Sequence, residues 1–80
     1  MAFIIGVKLG NRVDSAVEFQ RVLTKYGCII KSRLGLHDVS ENKCSPQGVI
    51  LMEIIDEETG KKFEEELKDI EGAQVQTMSF

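Results

Sequence analysis

Residues 22–46 read VLTKYGCIIKSRLGLHDVSENKCSP. A helical pattern closes at Tyr26-Gly27, a strand follows through Leu36, and a polar loop from Asp38 to Gly48 carries Cys44 shortly after His37. Glycine behind a helical pattern is the expected C-terminal cap, because without a Cβ it enters the left-handed conformation freely. The strand then alternates Cys28, Ile30, Ser32, Leu34 and Leu36 against Ile29, Lys31, Arg33, Gly35 and His37.

Upstream, Ala2 to Leu9 is apolar on both parities, the pattern of a central strand covered on two sides. Gly10-Asn11 punctuates it, and Asn11 is a good helix N-cap with Asp14 in the acidic first turn. From Arg12 to Tyr26 the residues Val13, Ala16, Val17, Phe19, Gln20, Leu23 and Tyr26 fall on one side. Arg12, Asp14, Ser15, Glu18, Arg21 and Lys25 fall on the other, which predicts an amphipathic helix.

Downstream, Ser45-Pro46 marks a turn in the polar loop and VILMEII (Val49–Ile55) is a second nearly continuous apolar strand. Asp56 or Thr59 caps a second helix whose core positions Phe63, Leu67 and Ile70 keep helical spacing. Lys61–Glu65 and Glu64–Lys68 are candidate pairs on its exposed side. Gly72 ends it, and Ala73 to Phe80 is a last strand.

The order is β-α-β-β-α-β over residues 1–80, one domain. Right-handed crossovers turn it into an α+β, ferredoxin-like fold: a four-stranded antiparallel sheet with two helices on one face. The first and third strands are then central, and the helices cover only one side of them. The uncovered side carries Ile4, Gly6 and Lys8 beside Val49, Leu51 and Glu53, with Lys8 and Glu53 expected to pair. An apolar patch centred on Ile4, Gly6, Val49 and Leu51 marks an interface. Eighty residues bury only roughly 60% of their unfolded surface, so self-association as a dimer or tetramer is expected.

Composition bounds the function. A hydrophobic fraction of 42% and a charged fraction of 29% describe an ordinary soluble globular chain. The net charge of −3 argues against a nucleic-acid surface, and Lys31, Arg33 and His37 read as charges that keep an edge strand soluble. No apolar stretch is long enough for a membrane span, and the start of the chain has no basic region of a signal peptide. Two cysteines outside any C-x-x-C spacing suggest reduced thiols in a cytoplasm. Cys28 and Cys44 lie too far apart along the strand for an intrachain disulfide. No Ser-His-Asp set, paired carboxylates or Gly-rich phosphate loop stands in the chain, so no enzyme and no cofactor is expected.

Two groups of residues are candidate sites. Gly10, Asn11 and Arg12 lie where a glycine loop meets a helix start, whose free N–H groups receive anions. The same residues equally make an ordinary capped turn. His37 and Cys44 are soft-metal ligands by residue type, with Asp38 and Glu41 as helpers or a partner copy completing the set. Glu57, Glu58 and Glu64 to Glu66 read as a solvated acidic helix face, or as a docking surface for a basic partner.

The segment LTKYGCIIKSRLGLHD (Leu23–Asp38), with Cys44-Ser45-Pro46, VILMEI (Val49–Ile54) and IEGAQVQTMSF (Ile70–Phe80), resembles a small ACT-like family of regulators of the iron-only hydrogenase system in anaerobic bacteria. The resemblance runs from Phe3 to Phe80, and RLGLH is its most specific phrase. It implies an oligomeric, non-enzymatic regulatory domain that binds a small-molecule effector or a partner protein. In amino-acid-binding ACT domains the loop before the first helix and the opening of the second strand line the effector pocket at a subunit interface. Carried onto this chain, that implies Gly10, Asn11, Arg12, Cys28 and Ile29. The C-terminal domain of nickel-responsive repressors is a related ACT-like tetramer with His-x-His and Cys ligands. Here Gly35 takes the first histidine's place and His37 and Cys44 remain, so the alternative reading is a metal-sensing oligomer. With no ribbon, helix-turn-helix or basic arm ahead of Phe3, any effect on transcription is expected to be indirect.

Overall fold

A computed structural model describes the backbone of residues 2–10, 13–40 and 43–80, and the side chains of 2–10, 15–35 and 48–80. The elements run β1 (Phe3–Lys8), α1 (Val13–Lys25), a 3-10 turn (Gly27–Ile29), β2 (Ile30–Ser40), β3 (Lys43–Ile54), α2 (Glu57–Lys68) and β4 (Gln74–Ser79). The sheet order is β2-β3-β1-β4, with every neighbouring pair antiparallel. Since β3 runs against both β1 and β2, those two are parallel, as two interleaved right-handed β-α-β halves require. The fold is α+β and ferredoxin-like, with β1 and β3 in the middle. No described helix is long and apolar enough to cross a membrane.

One parity of the central strands makes the core. Phe3, Ile5 and Val7 of β1 and Met52 and Ile54 of β3 are buried with Phe19, Val22 and Leu23 of α1 and Phe63, Leu67 and Ile70 beyond. Both helices therefore lie on this one side. Gly60 lets α2 approach it closely: a Cβ there would stand 2.9 Å from the Phe3 ring. The Tyr26 ring stacks on Phe63 at 4.9 Å, and its hydroxyl donates to the Glu66 carboxylate. Lys25 Nζ reaches the same carboxylate at 3.0 Å, so the end of α1 is clasped to α2 by a shared acceptor. On α2 itself Lys68 pairs with Glu64 at 3.0 Å, as the spacing predicts.

Several local expectations are corrected. α1 is turned relative to the sequence reading: Ser15 is buried and Val17 is exposed. The polar Ser15 can face inward because its Oγ donates to the Glu71 carbonyl at 2.6 Å. Gly27 does not adopt the left-handed cap; it opens the 3-10 turn that holds Cys28, and the left-handed glycine is Gly72, with φ of 82°. Asp56, not Thr59, caps α2, accepting from the Glu58 N–H at 3.1 Å and from Thr59 Oγ1 at 2.6 Å. The expected Asn11 cap lies outside the described residues.

The polar loop is the largest revision. Asp38 to Gly48 is mostly strand, because β2 continues to Ser40 and β3 already starts at Lys43. His37 pairs with Gly48 and Val39 with Cys44, leaving Asp38 alone opposite Ser45, Pro46 and Gln47. Ser45-Pro46 therefore sits in an irregularity of the ladder rather than a turn. Proline is tolerated there because its missing N–H coincides with a gap in the pairing.

Candidate functional site: the open face of the sheet

With both helices on one side, the opposite parity of all four strands forms a bare face. Ile4, Gly6 and Lys8 of β1 lie beside Glu53, Leu51 and Val49 of β3 in register, and beside Met78, Gln76 and Gln74 of β4. Leu34 of β2 continues the Leu51 row. Gly6 has no side chain at the centre of this surface, and the sheet sinks there into a groove of about 280 Å³. Val49, Leu51 and Met78 supply its apolar wall, and Lys8, Gln74 and Gln76 its polar side. Among the described lining residues Lys8 alone is charged.

The expected pair between Lys8 and Glu53 does not form. Glu53 faces Ile4, four strand steps or about 13 Å from Lys8. Its partner is Lys31, at 3.7 Å across the neighbouring strand. Lys31 is itself the extra residue of a bulge between Ile30 and Ser32. That bulge separates it from Arg33, whose guanidinium lies 6.0 Å over the Phe19 ring on the helix side. The two basic residues therefore do not share a face as strict alternation predicts.

The four interface candidates Ile4, Gly6, Val49 and Leu51 do come together on the open face. The residues implied for an effector pocket do not. Gly10 follows β1 on the end where Lys8 pairs with Val49, and is packed beside the Gly72 backbone. Cys28 and Ile29 precede Ile30, which is level with Ile54 and hence with Phe3, at the other end of the sheet. The length of β1, roughly 20 Å, stands between the two groups. Parallel β1 and β2 make this unavoidable within one chain; only two copies could join them. Cys28 is exposed with a free thiol, and Ile29 is tied to β3 by the Ile55 N–H, which donates to its carbonyl at 2.9 Å. Asn11 and Arg12 lie outside the described residues.

For His37 and Cys44 the backbone alone is described. Both belong to the β2–β3 hairpin, on the same end of the sheet as Gly10. Among the described residues no group of three His, Cys, Asp or Glu gathers in one place.

Perturbed ionisation lies on the helix side, away from the groove. The Tyr26 hydroxyl and then Lys25 hold Glu66 below the ordinary Glu range, and the same hydrogen bond pushes Tyr26 up. The Thr59 hydroxyl and the helix N–H groups lower Asp56. Part of the acidic surface of α2 is thus a structural clasp. Sequence reasoning missed Leu34, Gln74, Gln76 and Met78 as members of the open face. The alternation of QVQTM was visible, but which parity faces outward follows only from the pairing of β4 with β1.

The chain is similar to the uncharacterised protein TM1266 from Thermotoga maritima, with a TM-score of 0.79 and 20% identity over 96% of this chain and 92% of that one. A formyltetrahydrofolate deformylase from Pseudomonas putida KT2440 contains a similar unit: TM-score 0.56, 14% identity, 100% of this chain but 29% of the deformylase. A dimeric ferredoxin-like protein from an uncultured marine organism gives a TM-score of 0.48 at 13% identity, over 96% of this chain and 89% of that one. No protein-family model and no curated protein matches the chain. At these identities the likeness shows the fold alone, and that fold is the ferredoxin-like α+β sheet already read from the strand order.

Proposed function

We propose that the chain is a non-enzymatic, ACT-like regulatory domain that works as an oligomer and binds a small ligand or partner protein in an iron-only hydrogenase system. The open face of the sheet carries this reading. It groups Ile4, Val49 and Leu51 with the exposed Leu34 and Met78, on the side that neither helix covers. A second copy laid on it would remove this apolar surface from water, the term that small domains most need. The role in the hydrogenase system rests on the resemblance carried by Leu23–Asp38, Cys44-Ser45-Pro46, Val49–Ile54 and Ile70–Phe80.

Sedimentation equilibrium tests the association, and a monomer at working concentrations would overturn it. For the pathway, the gene is deleted in an anaerobic host and hydrogenase transcript and activity are measured. Unchanged levels would end the regulatory reading.

The second reading, a metal-sensing oligomer using His37 and Cys44, is favoured by their shared hairpin. Val39 pairs with Cys44 two residues beyond His37, so the two candidates sit on adjoining strands rather than in a loop. Metal analysis of the purified protein, with His37→Ala as control, decides it; absence of a stoichiometric ion removes the reading.

A further inference from the structure

The groove over Gly6 has two unlike sides. Lys8 on β1 stands in register between Gln74 of β4 and Val49 of β3, and Gly6 between Gln76 and Leu51, so two carboxamides line the β4 flank of the groove next to the strand that carries the ammonium. Across from them stand Val49 and Leu51, with Met78 beside Ile4 closing the far end. An ammonium offers three donors and each carboxamide two, whereas a carboxylate is purely an acceptor. Donors gathered on one side of an otherwise apolar trough suit a ligand with one anionic end and a hydrocarbon remainder. The size agrees: about 280 Å³ is just under the range that holds drug-sized ligands.

We propose that this groove binds a small amphipathic monocarboxylate, its anionic group held by Lys8, Gln74 and Gln76 and its hydrocarbon part laid on Gly6 between Leu51 and Met78. The inference rests on the ligand-binding part of the reading above and moves the ligand from the Gly10 loop to the sheet face. It also sets a specificity. An α-amino acid would bring its ammonium beside Lys8, and no described lining residue carries a negative charge to receive it. A phosphate ester would place two negative charges against a single described cation. Carboxylates without an α-ammonium are therefore the favoured class. Gly6 is what makes room: a Cβ there would stand 3.2 Å from Leu51 Cδ2, inside the trough.

The test is an amide NMR titration of the full chain with hexanoate, norleucine and hexylammonium in parallel. Hexanoate should saturate with shifts centred on Gly6, Leu51, Gln74 and Gln76, and the other two should bind at least tenfold more weakly. Lys8→Met should weaken hexanoate about tenfold or more, the loss expected for a charge-assisted hydrogen bond, and Lys8→Arg should restore it. Equal affinities for the three probes, shifts centred elsewhere, or an unchanged Lys8→Met would each overturn the proposal. Sedimentation of the same samples separates the two readings. The second copy would lie on this same face, so Leu34→Glu, which weakens the association, is titrated beside the parent. An oligomer that ignores hexanoate and whose Leu34→Glu form ignores it too ends the groove proposal alone. A monomer that binds hexanoate in this pattern upholds the groove and ends the association, because every lining residue comes from one chain.

Discussion

Tyr26, just beyond the end of α1, donates its hydroxyl to Glu66 in the last turn of α2, and Lys25 supplies a second donor to the same carboxylate. Glu66 is lowered because the hydrogen bond from Tyr26 favours its charged form, and Tyr26 is raised because that bond needs its proton. For Glu66, a depressed folded value means stability that is present above the unfolded value, about 4.3, and lost as pH falls through the folded value. For Tyr26, a raised folded value means stability that is present below about pH 10 and lost as pH climbs through the folded value. Tyr26→Phe should therefore flatten both the acid and the alkaline limb of a melting-temperature profile while leaving the ring stack on Phe63. A profile identical to the parent's would show that the bond does not persist in solution.

Gly60→Ala sets two effects against each other. Alanine normally gains about 1 kcal/mol over glycine inside a helix. Here the added Cβ would meet the Phe3 ring at 2.9 Å and Ile54 Cγ2 at 3.0 Å, both in the buried core. Overpacking of this kind costs about 1–3 kcal/mol, so the clash should win. Urea unfolding should give a net loss of about 1 kcal/mol; a gain would mean that the Phe3 ring yields freely.

The Ser15 hydroxyl joins the first turn of α1 to the turn before β4 through the Glu71 carbonyl at 2.6 Å. Ser15→Ala should destabilise the chain by about 1 kcal/mol, the net value of such a bond. Hydrogen exchange should rise first at Gly72 and Ala73, next to the lost tie. Uniform acceleration across the sheet would place the damage in the core instead.

Association through the open face makes Leu34 and Val17 a matched pair. Both are exposed, 56% and 65%, but Leu34 lies on the bare side of the sheet and Val17 on α1. Leu34→Glu should weaken self-association at least about tenfold, as truncating an interface anchor does. Val17→Glu should leave it unchanged. Equal effects in sedimentation would remove the sheet face as the contact.

Most of the frame was legible because the central strands and both helices bury a face, and burial leaves a periodic trace. β1, the apolar part of β3, Phe63, Leu67 and Ile70 all announce themselves this way. The hairpin from Asp38 to Gly48 does not. It runs past the end of β1, where Lys8 meets Val49, and so has no third strand beside it and no apolar alternation to show. Val17 is the counterpart in α1: its apolar side chain points outward because Ser15 takes the inward place, held by a partner 56 residues away that no local pattern reveals. As for the candidate site, the Ile4–Gly6–Val49–Leu51 surface follows from parity alone. The separation of Gly10 from Cys28 needs the relative direction of β1 and β2, which parity does not carry.

β1 is apolar on both of its parities, so hydrophobicity alone would let it slide by one residue against its neighbours. Gly6 and Lys8 forbid that. A one-residue slip would drive the Lys8 ammonium into the buried core and set an empty Gly6 where a large side chain must pack. Glu53 does the same for β3. The residues that give the open face its groove and its charge also act as alignment pins, holding the sheet to a single pairing while the chain folds.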